Sequence, residues 1–210
     1  MEYLEIMPIR AKVSSVLRKA IYSGEYKSGQ ELSLTDVSQR LGVSRTPVRE
    51  AFLALSAEGL LTLRMNKGAI VNRIDEKFIC DCYDMRILLE SRAAFLAARN
   101  GAEVDELLSR AYSMRDCCEA PDTDTYEALN QDIHLTLWNA ADNERLKHYL
   151  MELWNGPSTG SARTEHYRAS TLEHIAVLEA VRDRDCDAAA ASMSGHIERS
   201  RDNILSMLRE

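Results

Sequence analysis

The order of hydrophobic periods in the first 75 residues constrains the fold more than any other feature. An apolar stripe of Ile9, Val13, Val16, Leu17, Ala20 and Ile21 predicts a helix over about 8–23. The stretch GEYKSGQ, with two glycines, breaks it. Ser33, with Asp36 three residues on, has the form of a capping-box start for a second helix carrying Leu34, Val37 and Leu41. Gly42 ends that helix as a C′ glycine does. Ser44 or Thr46 opens a third, with Pro47 in its first turn, where a missing N–H costs little. Val48, Ala51, Phe52 and Leu55 form its inward stripe, and Gly59 stops it. Two short β-rich runs, 60–63 and 69–72, then flank a polar Asn66-Lys67-Gly68 turn, which is a hairpin signal.

Helix, helix, turn, helix, hairpin is the order of a winged helix-turn-helix. The rest of the chain is helical by period, over about 76–100, 102–119, 122–140, 143–154, 161–183 and 187–209, with a loop at 155–160. The expected fold is therefore mainly α: a winged helix-turn-helix with a small β-hairpin wing over 1–75, then an all-α bundle over 76–210. Charge divides the same way. The chain carries a formal −7, but residues 1–75 hold 11 Lys and Arg against 8 Asp and Glu, and residues 76–210 hold 15 against 25. A basic module that meets a polyanion and an acidic one with another task fit this asymmetry. At 45% hydrophobic and 28% charged, the composition excludes collagen-like and wholly disordered chains. No run suits a membrane span, and MEYLEIMPIRAK lacks a signal peptide's apolar core, so a cytoplasmic location is expected. Five cysteines at irregular spacing argue against a disulfide framework. Neither the Cys80/Cys82 nor the Cys117/Cys118 spacing suits zinc.

The segment GVSRTPVREAFLAL carries the first chemistry. Arg45 and Arg49, four apart, share one helix face near its N-terminus. A guanidinium there can bond guanine O6 and N7 as a pair. Ser44 and Thr46 can hold phosphates, helped by the free N–H groups of a helix start. Arg64 and Lys67 on the wing can grip a backbone or enter a minor groove. The plainer alternative is that these are solvated surface charges. The run LGVSRTPVREAFLALSAEGLL followed by RMNKGAIV resembles the DNA-binding domain of GntR-type bacterial regulators over residues 9–73. The resemblance implies operator contacts by Arg45, Thr46 and Arg49, and a wing tip shaped by Gly68. Thr35 stands where many relatives carry an arginine or another polar reader, which leaves that position a backbone contact at most.

The segments DMRILLESRAAFLAARNG, NQDIHLTLWNAADNERL, LEHIAVLEAVRDRD and AASMSGHIERS resemble the six-helix ligand-binding FCD domain of the FadR-type branch, in its short form. Many such domains hold a divalent metal. Asn130 and His134 are four apart on one face, His174 lies in line with Tyr167, Leu178 and Val181, and His196 lies in line with Met193 and Ser200. Three imidazoles suit zinc, nickel, copper or iron. The family pattern has an aspartate where this chain has Asn130, so zinc or nickel binding is expected to be weakened or lost. The alternative is a metal-free polar pocket. His148 and His166 fit no apolar stripe and read as surface residues. By resemblance Arg86 points into the cavity to bind an acidic effector; a helical pair with Glu90 is the alternative. Arg163 and Tyr167 are further candidates for its lining.

These readings combine into a ligand-responsive transcriptional regulator, a repressor by analogy and not an enzyme. It binds operator DNA as a homodimer and answers to a small carboxylate. Two rivals are a metal-dependent enzyme with an accessory DNA-binding module and an effector-independent DNA-binding dimer. Against the enzyme, the sequence offers no phosphate-binding glycine loop and no evident general base beside the histidines, since Glu173 points off the face of His174.

Overall fold

Local capping sets most of the helix boundaries in the computed structural model, which describes residues 8–65, 67–117, 123–154 and 163–209. Asn66, Cys118 and the loop expected at 155–160 lie outside the described residues. Helix α1 (Ile9–Tyr22) ends before the glycine-rich turn, and α2 (Leu34–Leu41) begins at Ser33, whose hydroxyl accepts from the amides of Thr35 and Asp36 at 3.2 and 3.4 Å. Gly42, at φ +64°, closes α2 in the left-handed conformation, and the Val43 amide returns to the Ser38 carbonyl. Helix α3 (Arg45–Ala57) follows, with Ser44 at its N-cap making no side-chain bond.

The wing differs from a simple hairpin. Strands β1 (Glu31–Leu32), β2 (Leu61–Arg64) and β3 (Gly68–Val71) form one antiparallel sheet in the order β1-β3-β2. Glu31 pairs with Ile70 and Leu32 with Ala69, so the two residues between the glycine-containing break and α2 supply a third strand. Leu32 is buried, and that burial ties the strand to the core. Its backbone also explains Gly68, at φ +103°: a Cβ there would stand 2.0 Å from the Leu32 carbonyl oxygen. Along α1, Val13, Leu17, Ala20 and Ile21 are buried as expected, but Ile9 and Val16 are exposed, so the stripe is narrower than its sequence period.

The acidic part forms six helices: α4 (Glu76–Asn100), α5 (Asp105–Asp116), α6 (Thr123–Ala140), α7 (Glu144–Leu153), α8 (Arg163–Arg182) and α9 (Cys186–Arg209). The Asp75 carboxylate caps α4 by accepting from the Phe78 amide at 2.8 Å, and Gly101 ends it at φ +73°. Helix α4 is the hub, packed against α6, α7, α8 and α9. One apolar core runs from Leu17, Phe52 and Leu55 through Ile79 and Tyr83 of α4 to Met193 and Ile197 of α9. A second cluster gathers Leu96, Leu135, Trp138, Leu146, Leu150 and Trp154. No helix among the described residues is long and apolar enough to cross a membrane.

Candidate functional site

Burial of Val48, Ala51, Phe52 and Leu55 fixes the roll of α3 and turns its other face to solvent. Ser44, Arg45, Thr46 and Arg49 are all exposed at or near its N-terminus, with Arg45 and Arg49 one turn apart. Leu53 continues the same line one further turn along and is 54% exposed. Between this face and the wing lies a groove of about 700 Å³ bordered by Arg45, Arg49, Leu53, Leu63, Arg64 and Met65. Arg64 pairs with Glu31 at 2.5 Å, an exposed ion pair that is weak enough to be exchanged for another anion. Lys67 is exposed at the tip, and Thr35 is exposed at the start of α2.

The histidines converge. His134 of α6, His174 of α8 and His196 of α9 are 1%, 2% and 5% exposed. A ring nitrogen of each lies within 4.8 Å of the others. Two carboxylates orient them: Glu90 meets Nδ1 of His134 at 3.0 Å, and Glu173 meets Nδ1 of His196 at 2.8 Å. A carboxylate accepts, so each of these Nδ1 atoms donates to it. His174 Nε2 and Asn130 Nδ2 are buried with no hydrogen-bond partner. Burial pulls the His174 imidazole well below the ordinary histidine range, with the neighbouring histidines adding to it. Burial also lowers His196, against the pull of Glu173. Burial works to raise the Glu90 carboxyl, but the charge and hydrogen bond of His134, then Arg86 and Trp138, hold it at about 2. Three imidazoles that converge in this way, two of them held by carboxylates, are a donor set that fits a divalent transition ion. Asn130 adds only a neutral amide beside them.

A cavity of about 10 Å³, room for roughly one water, adjoins the cluster; Arg86, Tyr126, Asn130, Trp154, His166 and Arg199 are among the residues that line it. Arg86 reaches it as the sequence suggests, and it also makes the alternative contact, a buried pair with Glu90 at 3.1 Å. Tyr167 stacks against Tyr126, which lines the cavity, at 4.1 Å between ring centroids. The side chain of Arg163 lies outside what is described. His148 is exposed as expected, but His166 is not a plain surface residue. Its Nδ1 accepts from Arg199 at 3.1 Å and Asn203 at 2.7 Å, and burial followed by the Arg199 charge lowers its pKa to about 4. The contacts of Glu90 with His134 and of Glu173 with His196, and the places of Arg199 and Trp154 beside the cavity, are not legible in the sequence. Glu173 does point away from His174, but toward His196 on α9.

One residue joins the two faces. Arg18 of α1 is 2% exposed. It donates to both carboxylate oxygens of Glu58, just past α3, at 2.9 and 2.6 Å, and to the backbone carbonyls of Glu152 and Trp154 at the end of α7. The Trp154 ring lies 4.9 Å from that of His134 and 5.9 Å from the Arg86 guanidinium carbon.

Comparison with known proteins agrees with this division. Residues 9–71 match the gntR family of bacterial regulatory proteins, and residues 81–199, more than half the chain, match the FCD domain. The chain is a GntR-family transcriptional regulator with an FCD domain. Among curated relatives, the regulator is 25% identical to the HTH-type transcriptional repressor RspR of Escherichia coli K12, over 97% of this chain and 92% of that protein. Its fold is shared with E. coli McbR/YncC, at TM-score 0.68 and 20% identity, over 97% of this chain and 99% of that one. It is also shared with the Zn2+-bound FCD domain of TM0439, at TM-score 0.51 and 19% identity, over 65% of the regulator and 98% of that domain.

Proposed function

We propose that the regulator is a repressor that binds operator DNA as a homodimer, in the cytoplasm where the operator lies. In this reading residues 1–75 read DNA and residues 76–210 hold the effector site and the dimer surface. Arg45 and Arg49 meet base edges, Ser44 and Thr46 meet phosphates, and Arg64, Lys67 and Gly68 form the wing's contact. His134, His174 and His196, with Asn130 as a weak fourth group, would hold one divalent ion. When bound, the ion supplies a cationic anchor for a small carboxylate. The observation that carries this reading is the convergence of three buried imidazoles, two of them oriented by carboxylates, with His174 Nε2 unpartnered. The FCD domain of TM0439, similar in fold, is described as Zn2+-bound, which supports zinc here.

Arg86 and Arg199 beside the cavity suit a carboxylate guest. The cavity's size admits an ion or a water but not an organic acid. Entry of the acid therefore requires Trp154 to yield, and the Trp154 carbonyl is held by Arg18 of the DNA-reading part. A guest that favours the displaced Trp154 thus acts on α1 and, through Glu58, on α3. Elemental analysis of the purified protein tests the metal: about one zinc or nickel per chain is expected, and none in His174→Ala. A wild-type protein that stays metal-free after reloading refutes that part. A panel of small carboxylates titrated against operator binding tests the rest, and indifference to all of them refutes the effector reading.

A further inference from the structure

We infer that the groove between α3 and the wing reads thymine methyl groups, with Leu53 as the reading side chain. The inference rests on the DNA-binding reading above and deepens it. Leu53 stands four and eight residues after Arg49 and Arg45, so it shares their face, about 12 Å along the axis from Arg45. It is 54% exposed, and Leu63 and Met65 across the groove are 42% and 91% exposed. Three large apolar side chains left in water on one small module form a patch that asks for an occupant. The rim settles its class. Arg45, Arg49 and Arg64 border the same groove, and a cationic border suits a polyanion rather than an apolar peptide. Among the base edges of duplex DNA, only the thymine 5-methyl is apolar in the major groove. The B-DNA major groove is about 12 Å wide. A helix that puts Arg45 at the bases therefore carries Leu53 toward the groove's edge. The thymine methyl projects on that side, toward its own strand's backbone. Leu63 and Met65 border the groove on the wing side, across from Leu53.

The test replaces thymine by deoxyuridine, which removes the methyl and leaves every hydrogen-bonding group in place. The full-length protein first selects a duplex from a random pool. Affinity is then measured at fixed salt for that duplex and for its deoxyuridine counterpart, with wild type and Leu53→Ala. Wild type is expected to bind the deoxyuridine duplex about fourfold more weakly for each contacted methyl. Leu53→Ala is expected to bind both duplexes alike, at close to the wild-type affinity for the deoxyuridine form. Equal wild-type affinity for the two duplexes overturns the inference and leaves operator binding intact. A full thymine preference retained in Leu53→Ala overturns the role of Leu53. Failure to enrich any duplex overturns the DNA-binding reading itself. The wild-type comparison needs no variant, so a variant that folds poorly does not protect the inference.

Discussion

At the scale of single residues, the two ends of the regulator rest on different physics. On α3 the arginines are solvated and act by geometry. Arg45→Ala is expected to lower discrimination between operator and unrelated DNA by about 1–3 kcal/mol while leaving salt-sensitive nonspecific binding, as competition binding at several salt concentrations will read. In the cavity the charges are buried and act by mutual compensation. Glu90 accepts from Trp138 at 2.8 Å as well as from His134 and Arg86, so its loss unties three side chains. Glu90→Gln keeps the shape but loses the charge that orients His134. Metal affinity, read by competition with a chromophoric chelator, is expected to fall about 10–100-fold. Gly68 is a backbone case. Gly68→Ala forces β1 and β3 apart and is expected to cost about 1–3 kcal/mol in urea unfolding.

At the scale of elements, α1 has two tasks. Its apolar side supports α3, and its Arg18 reaches the end of α7. Arg18→Met removes the charged bonds to Glu58 and to two carbonyls. It is expected to lower stability by about 2–3 kcal/mol, since Glu58 is partly solvated and can rehydrate. The more telling readout is functional: operator binding should lose its response to a carboxylate while the metal content stays at the wild-type level. The same elements explain what could be read in advance. Helices α2, α3 and α4 end at residues whose own side chain or backbone freedom stops a helix, such as Ser33, Gly42 and Asp75. Those signals are local, and the boundaries fall within a few residues of their sequence positions. Strand β1 carries no such signal. Its two residues are extended because Ala69 and Ile70, nearly forty residues later, offer a ladder. The histidines could be picked out one by one from their helix faces, but their partners Glu90 and Glu173 could not, because each carboxylate comes from a different helix than the imidazole it serves.

At the scale of the whole molecule, the charge asymmetry gives the regulator a polarity that a titration can read. Operator affinity should fall steeply and linearly on logarithmic axes as salt rises, because the proposed contacts lie on the basic module. Sedimentation at micromolar protein is expected to give twice the chain mass, and a monomer that still binds a full operator tightly would refute the homodimer. Both tryptophans of the chain, Trp138 and Trp154, lie against His134, at 6.0 and 4.9 Å between ring centroids. Tryptophan fluorescence, excited apart from the tyrosines, is therefore a report from beside His134. That arrangement turns the tightness of the cavity into a matter of time. If the acid enters as proposed, only in the moments when Trp154 moves aside, the rate of signal change after mixing with a carboxylate should level off as its concentration rises. The plateau would be the opening rate of the protein itself, a clock that sets how quickly a cell carrying this regulator can answer a change in its acids, however tightly the acid is finally held.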